Sequence, residues 1–424
     1  MIEHYNTGIS DIAIYVPSPR MELERLVAAR TVNDDALRRR LSRAVAKTGQ
    51  VAFHFPEPWE DSATLAAQSA RLLLKRNPTT LDTLRYIGAG TETAVDQSKP
   101  TAAYVEGMLQ QSGIAVPELL LTFQSQHACA GGTIAMLGIA GMIQASGRDE
   151  SGMVISSDIA RYEIGSSAEI TQGAGSVSLL MERNASLIEL DLTTVGLCSR
   201  DVDDFFRPNG SVTAKVKGAY SIQCYDEALD GAFHDHCRRS GMDPVELLHT
   251  TDLFAFHVPF KMMALTAFQR LVSHHTGLHG DDLNAFVSER GFEEALAPNE
   301  EAGNLYTGST FLSLAFLLAQ RYQAMGSAIV GRRIMLVSYG SGNTMIVLSG
   351  RVAQRAPQVI ESWNLDSLFA GARDATDSEY ETWITAPHPA ERLKTLYTAD
   401  TIPSGSYYLA GIREDGYREY AFKE

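Results

Sequence analysis

Cys129 lies in the run QSQHACAGGT, residues 124–133, between two alanines and just ahead of two glycines that open a long apolar stretch. A thiol at the start of a helix meets partial positive charge and free backbone N–H groups, and both favour the thiolate, the form that attacks an acyl carbon. The glycines permit close backbone approach, so a bound acyl group can reach the sulfur with its carbonyl oxygen on the Cys129 amide. A cysteine flanked by alanines is also suited to plain core filling. Two other residues bear on the choice. Glu92 interrupts the apolar run IGAGTETAV; glutamates are rarely buried without cause, and desolvation there raises the pKa towards neutrality, as a general base requires. The same carboxylate would serve a surface turn or a helix cap. His257, in FAFHVPF, stands at the end of an apolar strand and before a helix, where an imidazole is either a satisfied core side chain or part of a site.

Such distant residues meet only if the fold brings them together. DIAIYV reads as a strand, and MELERLVAAR and DDALRRRLSRAVA carry apolar residues at helical spacing. DSATLAAQSARLLLKR predicts a helix capped by Asp61 or Ser62 and ending on basic residues. LRYIGAG and VPELLLTFQS read as buried strands that lead into TETAVDQSK and into the cysteine. The helix GGTIAMLGIAGMIQAS is apolar on nearly every face and is expected to be buried. GMVISSDIA is the next strand, and GAGSVSLLME with SLIELDLTTVG predicts an antiparallel pair. The second half repeats this grammar with the strand DLFAFHV, the helices FKMMALTAFQRLVSHH and GSTFLSLAFLLAQRY, and the hairpin RRIMLVSYGSGNTMIVLSGRV. Strands alternating with helices indicate α/β layers. A structural duplication is expected, divided near residue 185 into halves 1–185 and 186–424 with no flexible linker between them.

The bulk properties exclude several classes. With 424 residues, 45% of them hydrophobic, the chain can bury a large core. Its 36 basic and 51 acidic residues leave a net charge of −15, and no basic block tracks a phosphate backbone, so nucleic acid is not an expected partner. The opening MIEHYNTGISD lacks the features of a secretion signal, and apolar runs such as FLSLAFLLA fall short of a membrane span, so a cytoplasmic location is expected. The four cysteines form no disulfide framework or CxxC zinc spacing. FHDHCRRS (His234, His236, Cys237) and SHHTGLH read as helix ends or exposed polar faces, not metal ligands.

The blocks GTETAVDQSK, ACAGGT, SSDIARY, TQGAGSVSLL, DDFFRPNG with GAYSIQCY, FHVPFKM, GNLYTGSTFLSLA and SYGSG together resemble the 3-hydroxy-3-methylglutaryl-CoA synthase family of the thiolase superfamily. They occur in the family's order between residues 8 and 352, with a weaker echo in YYLAGIREDGYREY and the loosest likeness over 31–60 and 355–395. The resemblance implies an α/β, thiolase-like layered αβαβα fold built from two duplicated halves. It implies an acyltransferase in which Cys129 takes an acetyl group from acetyl-CoA, Glu92 removes a proton from its methyl, and the carbanion attacks the β-ketone of acetoacetyl-CoA. Hydrolysis then frees 3-hydroxy-3-methylglutaryl-CoA.

By the same resemblance His257 and Asn304 hold the second substrate; Tyr162, in DIARY, reads either as a wall of the pocket or as structural filling. The backbone amides of Cys129 and Ser341 are the candidate oxyanion donors. Family members carry a lysine five positions beyond the histidine for the CoA phosphates; here that position is Met262, and Lys261 stands one place earlier, about 100° away around a helix. No metal and no cofactor beyond the acyl carrier is implied, and a homodimer is. The alternative within the family is a polyketide β-branching synthase acting on acyl carrier proteins rather than in the mevalonate route to isoprenoids. A decarboxylating β-ketoacyl synthase would not need Glu92, and a non-catalytic scaffold would not need all three reactive groups.

Overall fold

The computed structural model describes residues 7–386 and 397–424. The first six residues, read above for a leader, and the end of the loosely matching 355–395 segment lie outside them. The first half contains strands β1 (Gly8–Tyr15), β2 (Pro19–Glu22), β3 (Ala52–His54), β4 (Leu84–Gly90), β5 (Leu121–Ser125), β6 (Ser151–Ala160) and β7 (Gly173–Glu182). Its helices are α1 (Leu23–Arg30), α2 (Asp35–Thr48), α3 (Ser62–Arg76), α4 (Thr101–Gln111) and α5 (Gly131–Ser146). The short strands β8 (Ile188–Leu190), β9 (Gly196–Ser199), β10 (Phe205–Phe206) and β11 (Lys215–Val216) follow. Then come α6 (Gly218–Ser240), α7 (Pro244–Thr250), β12 (Leu253–Phe256), α8 (Lys261–Thr276), α9 (Gly280–Glu289), α10 (Phe292–Ala302) and α11 (Ser309–Met325). Strands β13 (Arg333–Gly340) and β14 (Thr344–Val352) close the second half of the sheet.

The main strands form one hydrogen-bonded series, β12-β13-β14-β8-β1-β7-β6-β4-β5, with β9 added on β14. One pairing scheme occurs twice: β4 runs parallel to β6, which is antiparallel to β7, and β12 runs parallel to β13, which is antiparallel to β14. The alternation of side chains shows where the layers lie. On β6, Val154 points into the cluster shared by both halves, while Met153 and Ile155 point to the outer cluster with α3 and α4. On β13, Ile334 and Leu336 face the shared cluster, while Met335 and Val337 face α6 and α8. Both strands are therefore apolar on both faces, as sheets covered by helices on two sides must be. The shared cluster holds α5 and α11 between the strand layers, which completes the αβαβα order. Each Leu or Ile buried there contributes about 1.5–3 kcal/mol.

Local signals behave as their chemistry dictates. Asp61, not Ser62, caps α3, accepting from the Ala63 and Thr64 amides, and Thr64 completes a capping box. Three expectations are corrected. β7 does not pair with the strand after it: β1 inserts between them, with Gly8 and Ile9 paired to both β7 and β8. Helix α5 is not buried all round, since Gly138, Gly141 and Ala145 are open on the single chain. The stretch Ala128–Ser146 is also long and apolar enough, by length and composition, to cross a membrane. It was missed because the cysteine turn extends the apolar helix at its start; Met136, Ile139, Ala140 and Ile143 pack it into the shared core.

Candidate active site

Each reactive side chain follows the carboxyl end of a strand. Glu92 comes just after β4, Cys129 after β5, His257 directly after β12 and Ser341 directly after β13. Since β4 and β5 are parallel, as are β12 and β13, those ends open on one crevice, the usual place for a site in such sheets. Glycine makes the approach possible. A Cβ on Gly90 would lie 2.2 Å from the Gly132 nitrogen, and one on Gly340 would lie 2.3 Å from the His127 carbonyl oxygen. The Ser341 turn thus packs directly on the cysteine turn. Ala128 and Tyr306, both beside the site, hold positive φ of 40° and 46°, strain of about 1–3 kcal/mol each that the packing must offset.

Cys129 Sγ lies 3.5 Å from Glu92 Oε1, and both are buried. Burial is the main force on both groups. It pushes the Glu92 carboxyl up to about 7, against the pull of the Arg207 guanidinium. It also pushes the Cys129 thiol well above its ordinary value, aided by the charges of Glu92 and Asp158. The helix start alone favours the thiolate; burial beside two carboxylates outweighs it, so the resting sulfur is a thiol next to a base. His257, 1% exposed, is pulled down to about 3 by burial and is neutral at every working pH. Its Nδ1 is buried without a hydrogen-bond partner among the described residues, and its amide donates to the Val337 carbonyl at 2.7 Å.

Cys129, His257, Asn304, Tyr162 and Ser341 line one cavity of about 630 Å³. Asn304 is fixed through its Oδ1, which accepts from the Tyr306 amide at 2.8 Å and the Ser309 hydroxyl at 3.1 Å, leaving its NH₂ as the donor for the cavity. Tyr162 belongs to an edge-on aromatic group with Phe205 and Tyr306 around Cys129. Glu92 opens on the other side, into a polar cavity of about 640 Å³ bounded by the β10–β11 loop.

Lys261 is the candidate for the CoA phosphates, although its shifted position turns it away from the family site. Its Nζ pairs with Glu300 at 2.8 Å, and it lines neither cavity. Basic charge enters from α2 instead: Arg39, Arg40, Arg43 and Lys47 line a groove of about 720 Å³ that shares Thr48, Gly218, Ile222 and Phe260 with the cysteine cavity. His236 is likewise buried rather than on an exposed face, held by the Thr194 carbonyl and by Ser349 Oγ at 2.8 Å.

Sequence reading missed two residues. Asp158 accepts six hydrogen bonds, from Thr91, Glu92 and Thr93 on one loop and from Thr307 on another. Arg207 holds Glu92. The segments SSDIARY and DDFFRPNG contain them, and an acid inside an apolar strand was the available signal for the first.

A buried cysteine beside a carboxyl, with a neutral histidine and an asparagine lining the same cavity as the sulfur in a five-layered αβαβα fold, defines a thiolase-type acyltransferase. Residues 4–186 match the pattern described as hydroxymethylglutaryl-coenzyme A synthase N terminal, and 283–423 match its C terminal counterpart. The chain belongs to the hydroxymethylglutaryl-CoA synthase family. It is 26% identical to the hydroxymethylglutaryl-CoA synthase of Enterococcus faecalis, over 88% of this chain and 90% of that one. It superposes on MvaS in complex with 3-hydroxy-3-methylglutaryl coenzyme A with a TM-score of 0.83 at 31% identity, covering 99% and 100% of the two chains. PksG, an HMG-CoA synthase from Bacillus subtilis, shares the fold with a TM-score of 0.84 at 19% identity, covering 99% and 100%. His257 and Arg207 lie between the two matched stretches.

Proposed function

We propose that this protein condenses an acetyl group held on Cys129 with the ketone of acetoacetyl-CoA and releases 3-hydroxy-3-methylglutaryl-CoA. The contact of Cys129 Sγ with Glu92 Oε1 carries the reading. Glu92 takes the thiol proton as sulfur attacks acetyl-CoA, and returns it to the departing CoA thiolate. As carboxylate again, it removes a proton from the acetyl methyl, and the carbanion forms the new carbon–carbon bond at the ketone carbon. A neutral imidazole does not surrender its N–H, so His257, with the Asn304 amide, stabilises the alkoxide by hydrogen bonds. The proton on Glu92 then goes to that oxygen. Water, deprotonated by Glu92, cleaves the thioester, and the proton returns to sulfur. The Cys129 and Ser341 amides are the oxyanion donors, each worth about 3 kcal/mol. Acetyl-CoA should acetylate Cys129 and, with acetoacetyl-CoA, yield product; a chain that forms no adduct refutes this.

The α2 arginines suit the phosphates of CoA, with acetyl-CoA and acetoacetyl-CoA as substrates and no cofactor beyond them. A specific observation favours carrier-bound substrates as the second reading. Val216 and Ile222, on the wall of the cysteine cavity, are exposed next to the basic groove, and an apolar rim beside positive charge fits an acidic protein surface. Rates with acetoacetyl-CoA and with an acetoacetylated carrier protein separate the two. The first outcome points to the mevalonate route, the second to polyketide branching.

We also propose a homodimer, in a cytoplasmic setting like that named for the human relative, with β5 at its centre. β5 is the sheet edge, with Leu121 exposed, and α5 presents Gly138, Gly141 and Ala145 beside half-buried Ile134, Leu137 and Met142. A Cβ on Gly141 meets nothing within 4 Å in the single chain. In a monomer Gly141→Ala would stabilise α5 by about 1 kcal/mol. In the dimer it is expected to destabilise, and Gly141→Glu to halve the mass seen by light scattering.

A further inference from the structure

The reaction proposed above asks one carboxyl to accept and return protons several times while acyl groups fill the cysteine cavity. Glu92 has two oxygens and two surroundings. Oε1 faces Cys129 Sγ at 3.5 Å, and Oε2 lies 3.3 Å from Arg207 Nη2. Arg207 Nη1 also donates to the Glu92 main-chain carbonyl at 2.5 Å. One guanidinium thus grips the residue at its backbone and at its carboxylate, and each grip restricts a different rotation.

The support beneath Arg207 is built. It follows β10, whose Phe205 packs edge-on against Tyr162 and Tyr306, and its guanidinium lies 5.7 Å from the Tyr306 ring centre. Asp204, buried at the root of the loop, accepts from Tyr339 Oη at 2.8 Å and the Gly342 amide at 2.9 Å. Arg207 lines the polar cavity with Glu92 but not the cysteine cavity, which Cys129, His257 and Asn304 line. It stands on the side from which water can come while acyl groups occupy the other.

We infer that Arg207 is a positioning residue: it holds Glu92 at the wall between the two cavities, one oxygen turned to the sulfur and the carboxyl open to the polar side. This rests on the proposed role of Glu92. The groups facing Glu92 are the Cys129 thiol from the mouth of α5, the Asp158 carboxylate from β6 and Arg207 from the β10–β11 loop, with the Tyr162 and Tyr306 phenols beside them. Among these Arg207 is the one cation. Its loss leaves burial and Asp158 acting together, and both raise the proton affinity of Glu92. A lysine would keep the charge but could not hold carbonyl and carboxylate in one rigid fork.

The test is the pH profile of condensation in Arg207→Gln and Arg207→Lys, with Cys129 acetylation by acetyl-CoA followed separately. In Arg207→Gln the acid limb should move up by about one pH unit or more. The rate at neutral pH should fall more than about tenfold and return at alkaline pH only as far as the Arg207→Lys level, with KM for acetyl-CoA little changed. Arg207→Lys should keep the limb and lose kcat. A loss in Arg207→Gln that is equal at every pH would overturn the inference, as would an unshifted limb. Should that variant not fold, unaltered kcat in Arg207→Lys would overturn it and a reduced kcat with a fixed limb would support it. Wild-type protein that is never acetylated sinks the proposed reaction itself, whereas normal wild-type acetylation with Arg207 variants whose profiles match the wild type sinks only this inference.

Discussion

Glu92→Gln is expected to lower turnover by about 10²- to 10⁴-fold while Cys129 is still acetylated. Glutamine keeps the shape and burial of the side chain but cannot accept a proton, so abstraction from the acetyl methyl loses its base. Acetyl transfer is affected differently. The Glu92 charge is among the causes that hold the Cys129 thiol above its ordinary range, so removing it makes the sulfur easier to ionise even as its proton acceptor disappears. Intact-protein mass spectrometry after acetyl-CoA, beside the rate of product formation, separates the two steps. The wild-type profile follows from the same groups. With Glu92 at about 7 and working as the carboxylate, condensation should rise as pH rises through neutrality. His257, at about 3, should add no limb there. In Glu92→Gln the neutral limb should vanish. Condensation at the wild-type rate would remove Glu92 from the mechanism.

The parts of this site that could be read from the sequence are those in which a residue contradicts its surroundings. A carboxylate in IGAGTETAV and an imidazole closing FAFHV cost free energy unless they serve a purpose, and the structure puts both beside the cysteine crevice. β13 was equally readable, because both of its faces meet helices and its apolar run is unbroken. What could not be read depended on rotation and on distant partners. Lys261 sits one position from where phosphate contact was expected, and only the fold shows that Glu300 claims it. Arg207 lies in a polar loop where an arginine is unremarkable, and its meaning arises from reaching Glu92 across 115 positions. The state of the sulfur was misjudged for a physical reason. A helix start is visible in a sequence, whereas the depth of burial that opposes it is set by the aromatic group of Tyr162, Phe205 and Tyr306.

Asp158 should prove the most sensitive residue that touches no substrate. Its Oδ1 accepts from Thr91 Oγ1, the Glu92 and Thr93 amides and Thr93 Oγ1, and its Oδ2 accepts from the Thr307 amide and hydroxyl. One buried carboxylate therefore ties the loop of the general base to the loop that presents Asn304 and Tyr306. In Asp158→Asn the amide NH₂ must face one group of donors. The Thr307 side is the cheaper, because the Thr307 hydroxyl can accept from it while donating to the Gly90 carbonyl at 3.1 Å, and only the Thr307 amide is left unpaired. The expected cost is about 1–3 kcal/mol by chemical denaturation. Asp158→Leu removes the acceptor of all six bonds, with only the Thr307 hydroxyl keeping the Gly90 carbonyl and the Thr93 amide keeping Thr91 Oγ1, and should exceed about 4 kcal/mol. Turnover in Asp158→Asn should fall about 100-fold with KM for acetyl-CoA little changed, since the tie positions the base and not the thioester. Thr307→Val cuts the same tie from its other end, so its effect on kcat should not add to that of Asp158→Asn; full additivity would show that the two loops are held independently.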